Sequence, residues 1–355
     1  MPAPAPHQVL FPLAVLHGAI AVPLWLLAAA HLPPAWHAHE MLFGYAPAVL
    51  AGFLVTRRGP YTWMLAAAWL VARAAPFLPN PAIQALAGLA FPALLFALAT
   101  PPLWRGAKRP QNYLLPAIVL VLLLLNAAWW WAGLNDAPLW QRRVTLATID
   151  LYALLLALVG GRALPAAIGG FLERQGLRRR DHRRREWELP LAAVLGAALM
   201  LDLLGLYPGA GAMALIGAAA LSARVLPWQL GRIAGAPALW APTLGYLWLI
   251  PGLALKGAGQ LQWLALGSAA VHGVTIGALG ILTVAMMART TAARAHRPLA
   301  PFARVGAAAA LMSTAVVLRL LAAGREPWLL AAATAWSLAL VTVLPMLVAR
   351  GGRGS

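Results

Sequence analysis

In the segment Trp36-His37-Ala38-His39-Glu40-Met41-Leu42-Phe43-Gly44-Tyr45, two imidazoles, a carboxylate and a thioether stand at the mouth of an apolar run that continues to Val55. Imidazole suits iron and copper, thioether suits soft copper, and a carboxylate orients a ligating ring or carries protons. Ionisable groups are expensive in hydrocarbon, so a cluster of them in an apolar run is a functional-site hypothesis by default. Two more histidines, His17 and His272, fall inside other apolar runs. His272 opens His272-Gly273-Val274-Thr275-Ile276-Gly277-Ala278-Leu279-Gly280, where Gly273, Gly277 and Gly280 make a small-residue face suited to close helix packing. His7, His31, His182 and His296 lie in terminal or connecting stretches, which seldom build a site. Three acids sit in or at the edge of apolar runs: Glu40, Asp150 and Asp202. Asp150 reads either as a proton relay or as the partner of an intramembrane arginine, with Arg73, Arg224 and Arg319 available.

Helix geometry constrains the first cluster. Residues two apart point about 200° apart around a helix axis, so His37 and His39 cannot both ligate one ion from a regular helix. Either one faces inward while the other binds elsewhere, or the helix begins only after His39. Positions three and four apart share a face, which aligns His37 with Glu40, Met41 and Gly44. Gly44 admits the close approach of a partner helix or a flat macrocycle.

The elements that must position these groups are membrane helices. Of 355 residues, 62% are hydrophobic and 10% charged. Apolar runs of about 20 residues recur, the length that crosses a bilayer core. The expected fold class is an all-α polytopic membrane protein of about twelve transmembrane helices, near 9–30, 37–57, 61–78, 82–104, 112–133, 144–168, 189–206, 209–233, 237–256, 261–288, 300–323 and 327–349. The formal net charge of +18 is explained by topology, with no nucleic acid as partner. Arg57, Arg58, Arg105, Arg174, the run Arg178 to Arg185, Arg232, Arg289, Arg294, Arg297, Arg350 and Arg353 share one side, which makes both termini cytoplasmic. Arg142, Arg143, Lys256 and Arg325 remain on the other side. The organisation expected is a half from 1 to 170, a basic cytoplasmic loop over 171–188 and a half from 189 to 355, integrated in one membrane domain. Met1 to Pro6 reads as a short retained tail. In Gly160-Gly161-Arg162-Ala163-Leu164-Pro165 the arginine should reach headgroups and the proline should end the helix. Several helices should bend at Pro23, Pro47, Pro92, Pro116, Pro251 and Pro345. The absence of cysteine excludes disulfides, iron–sulfur clusters and thiolate ligation.

These residues resemble the NnrS family, bacterial inner-membrane proteins described as containing haem and copper and linked to the nitric-oxide response. The resemblance is carried by the block from Trp36 to Tyr45 with Ala51-Gly52-Phe53-Leu54, by Gly160-Gly161-Arg162 with Pro165, by Leu244-Gly245-Tyr246, and by the run from His272 to Gly280 with Arg289 and Arg297-Pro298-Leu299. It covers nearly the whole chain. Two positions depart from the family pattern, Thr243 and Arg294 standing where the family carries histidine. The resemblance implies a multi-pass protein of the bacterial inner membrane that holds haem b, with copper as a second metal, and acts against nitrosative stress. Joined to the residues, it points to His37, His39 and His272 as metal ligands, with His17 in reserve. Glu40 then partners a ligand or donates protons, and Asp150 helps deliver them. Met41, Gly44, Tyr45, Gly273 and Gly277 would line the cofactor. Nitric oxide would be bound or reduced there. The electron donor stays unidentified, since no cytochrome c, flavin or nicotinamide motif is present. The same histidines and acids also suit a transporter or a metal- or haem-handling protein, or a haem-based sensor without turnover.

Overall fold

Main-chain N–H and C=O groups in hydrocarbon must be satisfied inside the chain, which leaves helices as the way for apolar runs of this length to cross a bilayer. The computed structural model describes residues 3–28, 32–177, 186–296, 302–322 and 325–348, and among them there are helices and no strand. They are α1 (Pro6–Leu27), α2 (Pro34–His39), π1 (Glu40–Tyr45), α3 (Ala46–Leu54), α4 (Pro60–Ala74), α5 (Pro81–Arg105), α6 (Leu114–Leu134) and α7 (Pro138–Arg174). There follow α8 (Glu188–Leu204), α9 (Tyr207–Val225), α10 (Pro237–Leu247), α11 (Leu249–Gln260), π2 (Gly273–Gly280), α12 (Ile281–Arg294), α13 (Phe302–Leu321) and α14 (Glu326–Val348). Among the described residues, 9 helices are long and apolar enough to cross a membrane. The chain is a multi-pass membrane protein. The stretch α2–π1–α3, α4 and α8 lie where three further spans were expected, the first carrying His37, His39 and Glu40 and the other two short.

The chain forms two compact units, one of Met1–Thr148 with Leu344–Ser355 and one of Ile149–Val343. In the first, α1 packs on α3 and π1, α4 on α5, and α5 on α6. Gly52 makes the α1–α3 approach possible, because a Cβ there would run into the Phe11 ring. In the second, α9 packs against both α8 and α11, π2 packs on α11, and α10 packs on α12.

Several expectations need correction. Pro165 does not end a helix: α7 runs through it for 37 residues, about 55 Å at 1.5 Å per residue, well beyond a bilayer core. Proline costs a helix the bond to the carbonyl four residues back. Here that carbonyl, Gly161 O, accepts instead from Arg224 Nη2 at 3.2 Å. Arg162 forms a two-point ion pair with buried Glu188, at 2.8 and 2.6 Å. Lys256 is not an outer-side loop charge, because α11 extends to Gln260 and buries it. The segment carrying His272 starts at Gly267 and not near 261, so His272 lies close to its start. His7 is not in a loose tail but in the first turn of α1, buried and edge-on to Phe11. The break between α10 and α11 follows from Pro251, which cannot donate to the carbonyl of Leu247. His31, His182, Arg178 to Arg185, Arg297 to Leu299, Arg350 and Arg353 lie outside the described residues.

Candidate functional site

The helix is already formed at Pro34, so the first of the two geometric alternatives holds and the two histidines turn to different partners. The His37 ring stacks on Trp25 at 4.7 Å between centroids. His39 is buried, its ring 4.2 Å from Trp129, 5.2 Å from Trp130 and 5.3 Å from Phe43. Its Nδ1 lies 3.2 Å from Glu40 Oε1. The other oxygen, Oε2, takes Arg73 Nη1 at 2.7 Å and His17 Nε2 at 3.1 Å. Thus Glu40, with 1% of its surface exposed, is held by a guanidinium and two imidazoles from α1, α2 and α4. Pairing of that kind is what makes a buried carboxylate tolerable.

The backbone beneath this cluster is a π-helix, a rare form that concentrates at functional sites. Pro47 explains part of it. Having no N–H, Pro47 leaves the Phe43 carbonyl free of its helical bond, and Arg73 Nη2 reaches that carbonyl at 3.4 Å. The next carbonyl, Gly44 O, accepts from Trp69 Nε1 at 3.0 Å. The space above Gly44 is filled by protein: a Cβ there would lie 2.6 Å from Arg73 Nη1 and 3.0 Å from His17 Nε2. Tyr45 is buried and Met41 half-buried in the same turn.

A second cluster belongs to the other unit. Lys256 Nζ lies 2.9 Å from Asp150 Oδ1 and 2.8 Å from Asp202 Oδ2, and donates to Gln260 Oε1 at 3.2 Å. Gln260 Nε2 in turn donates to Asp202 Oδ1 at 2.6 Å. The partner of Asp150 is therefore a lysine and not one of the three arginines considered for it. Arg73 serves Glu40, Arg319 donates to Ser268 Oγ at 2.9 Å, and Arg224 donates to the carbonyls of Ala157 and Gly161.

His272 belongs to this unit as well. Its Nδ1 lies 2.9 Å from the Ser268 carbonyl, which only accepts, so Nδ1 carries the hydrogen and, in the neutral ring, Nε2 the lone pair. The ring is half-buried. The small-residue run after it is π2, and its glycines serve helix packing. A Cβ on Gly273 would meet the Gly252 main chain at 2.6 Å, and one on Gly277 would meet the Trp248 ring at 2.7 Å. Gly160 and Gly161 likewise admit the Tyr246 ring and the Arg224 guanidinium, so segments far apart in sequence meet there.

The metals implied by the resemblance can be weighed against these residues. Among the described residues no three of His, Asp or Glu converge on a metal-sized site, so a copper ion held by three such side chains does not fit. The Glu40 carboxylate already carries a guanidinium that a cation would have to displace. A haem needs one imidazole nitrogen. His39 is packed against Phe43, Trp129 and Trp130 and only 1% exposed, which does not suit a macrocycle laid on its ring. His272 fits better: a main-chain carbonyl orients its ring as metal-ligating histidines are commonly oriented, and Arg319 beside it suits a carboxylate.

Sequence reasoning brought out His17, His39 and Glu40 but did not join Arg73 to them, nor Lys256 and Gln260 to Asp150 and Asp202. One signal was present: Lys256 and Gln260 stand four apart, which puts them on one helix face. The family model described as NnrS protein matches residues 3–350. No curated protein matches the chain.

Proposed function

We propose, from the premise that this chain belongs to the NnrS family, that it is a haem-binding protein of the bacterial inner membrane acting in the nitric-oxide response. Membership of that family fits a nitric-oxide response protein. In this reading the three shorter helical stretches complete about twelve spans across a bilayer core, with both termini cytoplasmic. The halves either side of 171–188 then work as one membrane domain.

The observation that carries the haem reading is the Nδ1–Ser268 bond of His272, which presents Nε2 as a ligand. Arg319 would hold an anionic substituent of the cofactor. Haem iron on an imidazole supplies the site at which nitric oxide binds. The chain's own residues position that imidazole and hold protons. Glu40, with an imidazole on each oxygen, exchanges a proton between Nε2 of His17 and Nδ1 of His39, while Arg73 keeps the carboxylate in place. His37 is the reserve imidazole, on the face of Trp25.

The test is a visible spectrum of the purified full-length protein with its haem content. The wild type should show a Soret band that moves on adding nitric oxide, and His272→Ala should lose most of the haem while His39→Ala keeps it. A colourless wild type, or full haem retention in His272→Ala, would overturn the reading. Copper measured alongside should be well below one per chain.

A further inference from the structure

The cluster of Asp150, Asp202, Lys256 and Gln260 is set apart by its charge count. Two carboxyl groups and one ammonium share a volume in which Lys256 is 1% exposed and both aspartates are 0% exposed. With both carboxylates ionised the cluster would carry an uncompensated negative charge among apolar helices, which is prohibitive without a further cation. Lys256 Nζ touches both carboxyl groups, at 2.9 Å from Asp150 and 2.8 Å from Asp202, so two like charges would share one ammonium, and ionising one acid disfavours ionising the other. We propose that Asp150 and Asp202 together hold one proton, which makes this cluster a proton-binding site inside the membrane helices of the second unit.

Geometry assigns the proton. Asp202 accepts from Lys256 Nζ and from Gln260 Nε2, and two N–H donors favour the ionised form. Asp150 has Lys256 as its N–H donor, so the hydrogen sits on Asp150. The count then closes: one ammonium, one carboxylate and one neutral acid. Release leaves Asp150 ionised and sends one proton to water, with no electron transferred. The route lies past Gln260, which is half-buried at the end of α11, and past Asp202 in the last turn of α8. Other charged groups on the surrounding elements have partners of their own. Arg224 of α9 is bonded to the Ala157 and Gly161 carbonyls, Arg162 of α7 pairs with Glu188 of α8, and His272 is bonded to Ser268.

Infrared spectroscopy of the full-length protein at neutral pH tests this directly. The wild type should show the C=O stretch of a protonated carboxylic acid, shifting in heavy water. Asp150→Asn and Asp202→Asn should each remove it, because the remaining carboxylate then pairs with Lys256. Lys256→Met should strengthen it about twofold, since both acids must then be neutral. Asp150→Glu, which keeps an acid at the site, should retain the band at a changed frequency and serves if an asparagine variant does not fold. No band in the wild type, or one that survives in both asparagine variants, overturns the proposal. A missing band together with stabilisation by sodium over choline overturns it in favour of a sodium site.

Discussion

Arg73 in the first unit and Arg224 in the second solve one problem with different neighbours. Each places its guanidinium on a carbonyl that a proline has stripped of its helical bond: Phe43 O, four residues before Pro47, and Gly161 O, four residues before Pro165. Each lies against a glycine whose missing Cβ makes room for it, Gly44 or Gly161. The outcomes differ. The turn before Pro47 is π-helical and returns to α-helix at Ala46, and Arg73 also grips Glu40. At Pro165 the helix continues for two more turns, and Arg224 adds the Ala157 carbonyl and, at 3.4 Å, the Tyr246 hydroxyl. A proline in a membrane helix is therefore not by itself a break, because a donor from a neighbouring helix can take over the orphaned carbonyl.

Replacing each part should separate the two arrangements. The largest effect is expected for Arg73→Met, which strands the buried Glu40. It should cost about 3–5 kcal/mol in denaturant unfolding in mild detergent, with much of the loss recovered in the double variant with Glu40→Gln. Next comes Gly161→Ala, whose methyl meets the Arg224 guanidinium directly, and then Gly44→Ala, where the atoms met are the ends of Arg73 and His17. Overpacking of this kind costs about 1–3 kcal/mol, and the ranking is read from the two unfolding midpoints. A cost for Gly44→Ala above that for Gly161→Ala would mean that π1 yields less than a long α-helix. Smallest are Pro47→Ala and Pro165→Ala, which restore an N–H that competes with the arginine for one carbonyl, worth about 1 kcal/mol or less. Hydrogen exchange at the restored amide should show protection at 165, in the interior of α7, and less at 47, the second residue of α3, whose acceptor Phe43 lies in the π-helical turn.

The extent of the apolar runs and the membrane class could be read from the chain alone, whereas the pitch that aligned His37 with Glu40 missed the partners the carboxylate takes, His39 and His17. Length and composition decide whether a helix crosses a bilayer, and positions on one helix are related by its fixed pitch. On a regular helix that pitch also parts His37 from His39, and since the helix is formed at Pro34 they do part, to Trp25 and to Glu40. The partners on other helices could not be read in this way. Arg73 lies 33 positions beyond Glu40, and Lys256 lies 106 beyond Asp150 and 54 beyond Asp202. Which faces meet depends on how each helix is rotated and how closely its glycines let it approach, and many side-chain shapes set that together. So Lys256 reads as an outer-loop charge from composition and proves to be the centre of a buried cluster. Sequence alone determined a histidine-bearing helical membrane protein. Only the tertiary structure decided which charges neutralise one another, because that depends on distances between helices rather than along them.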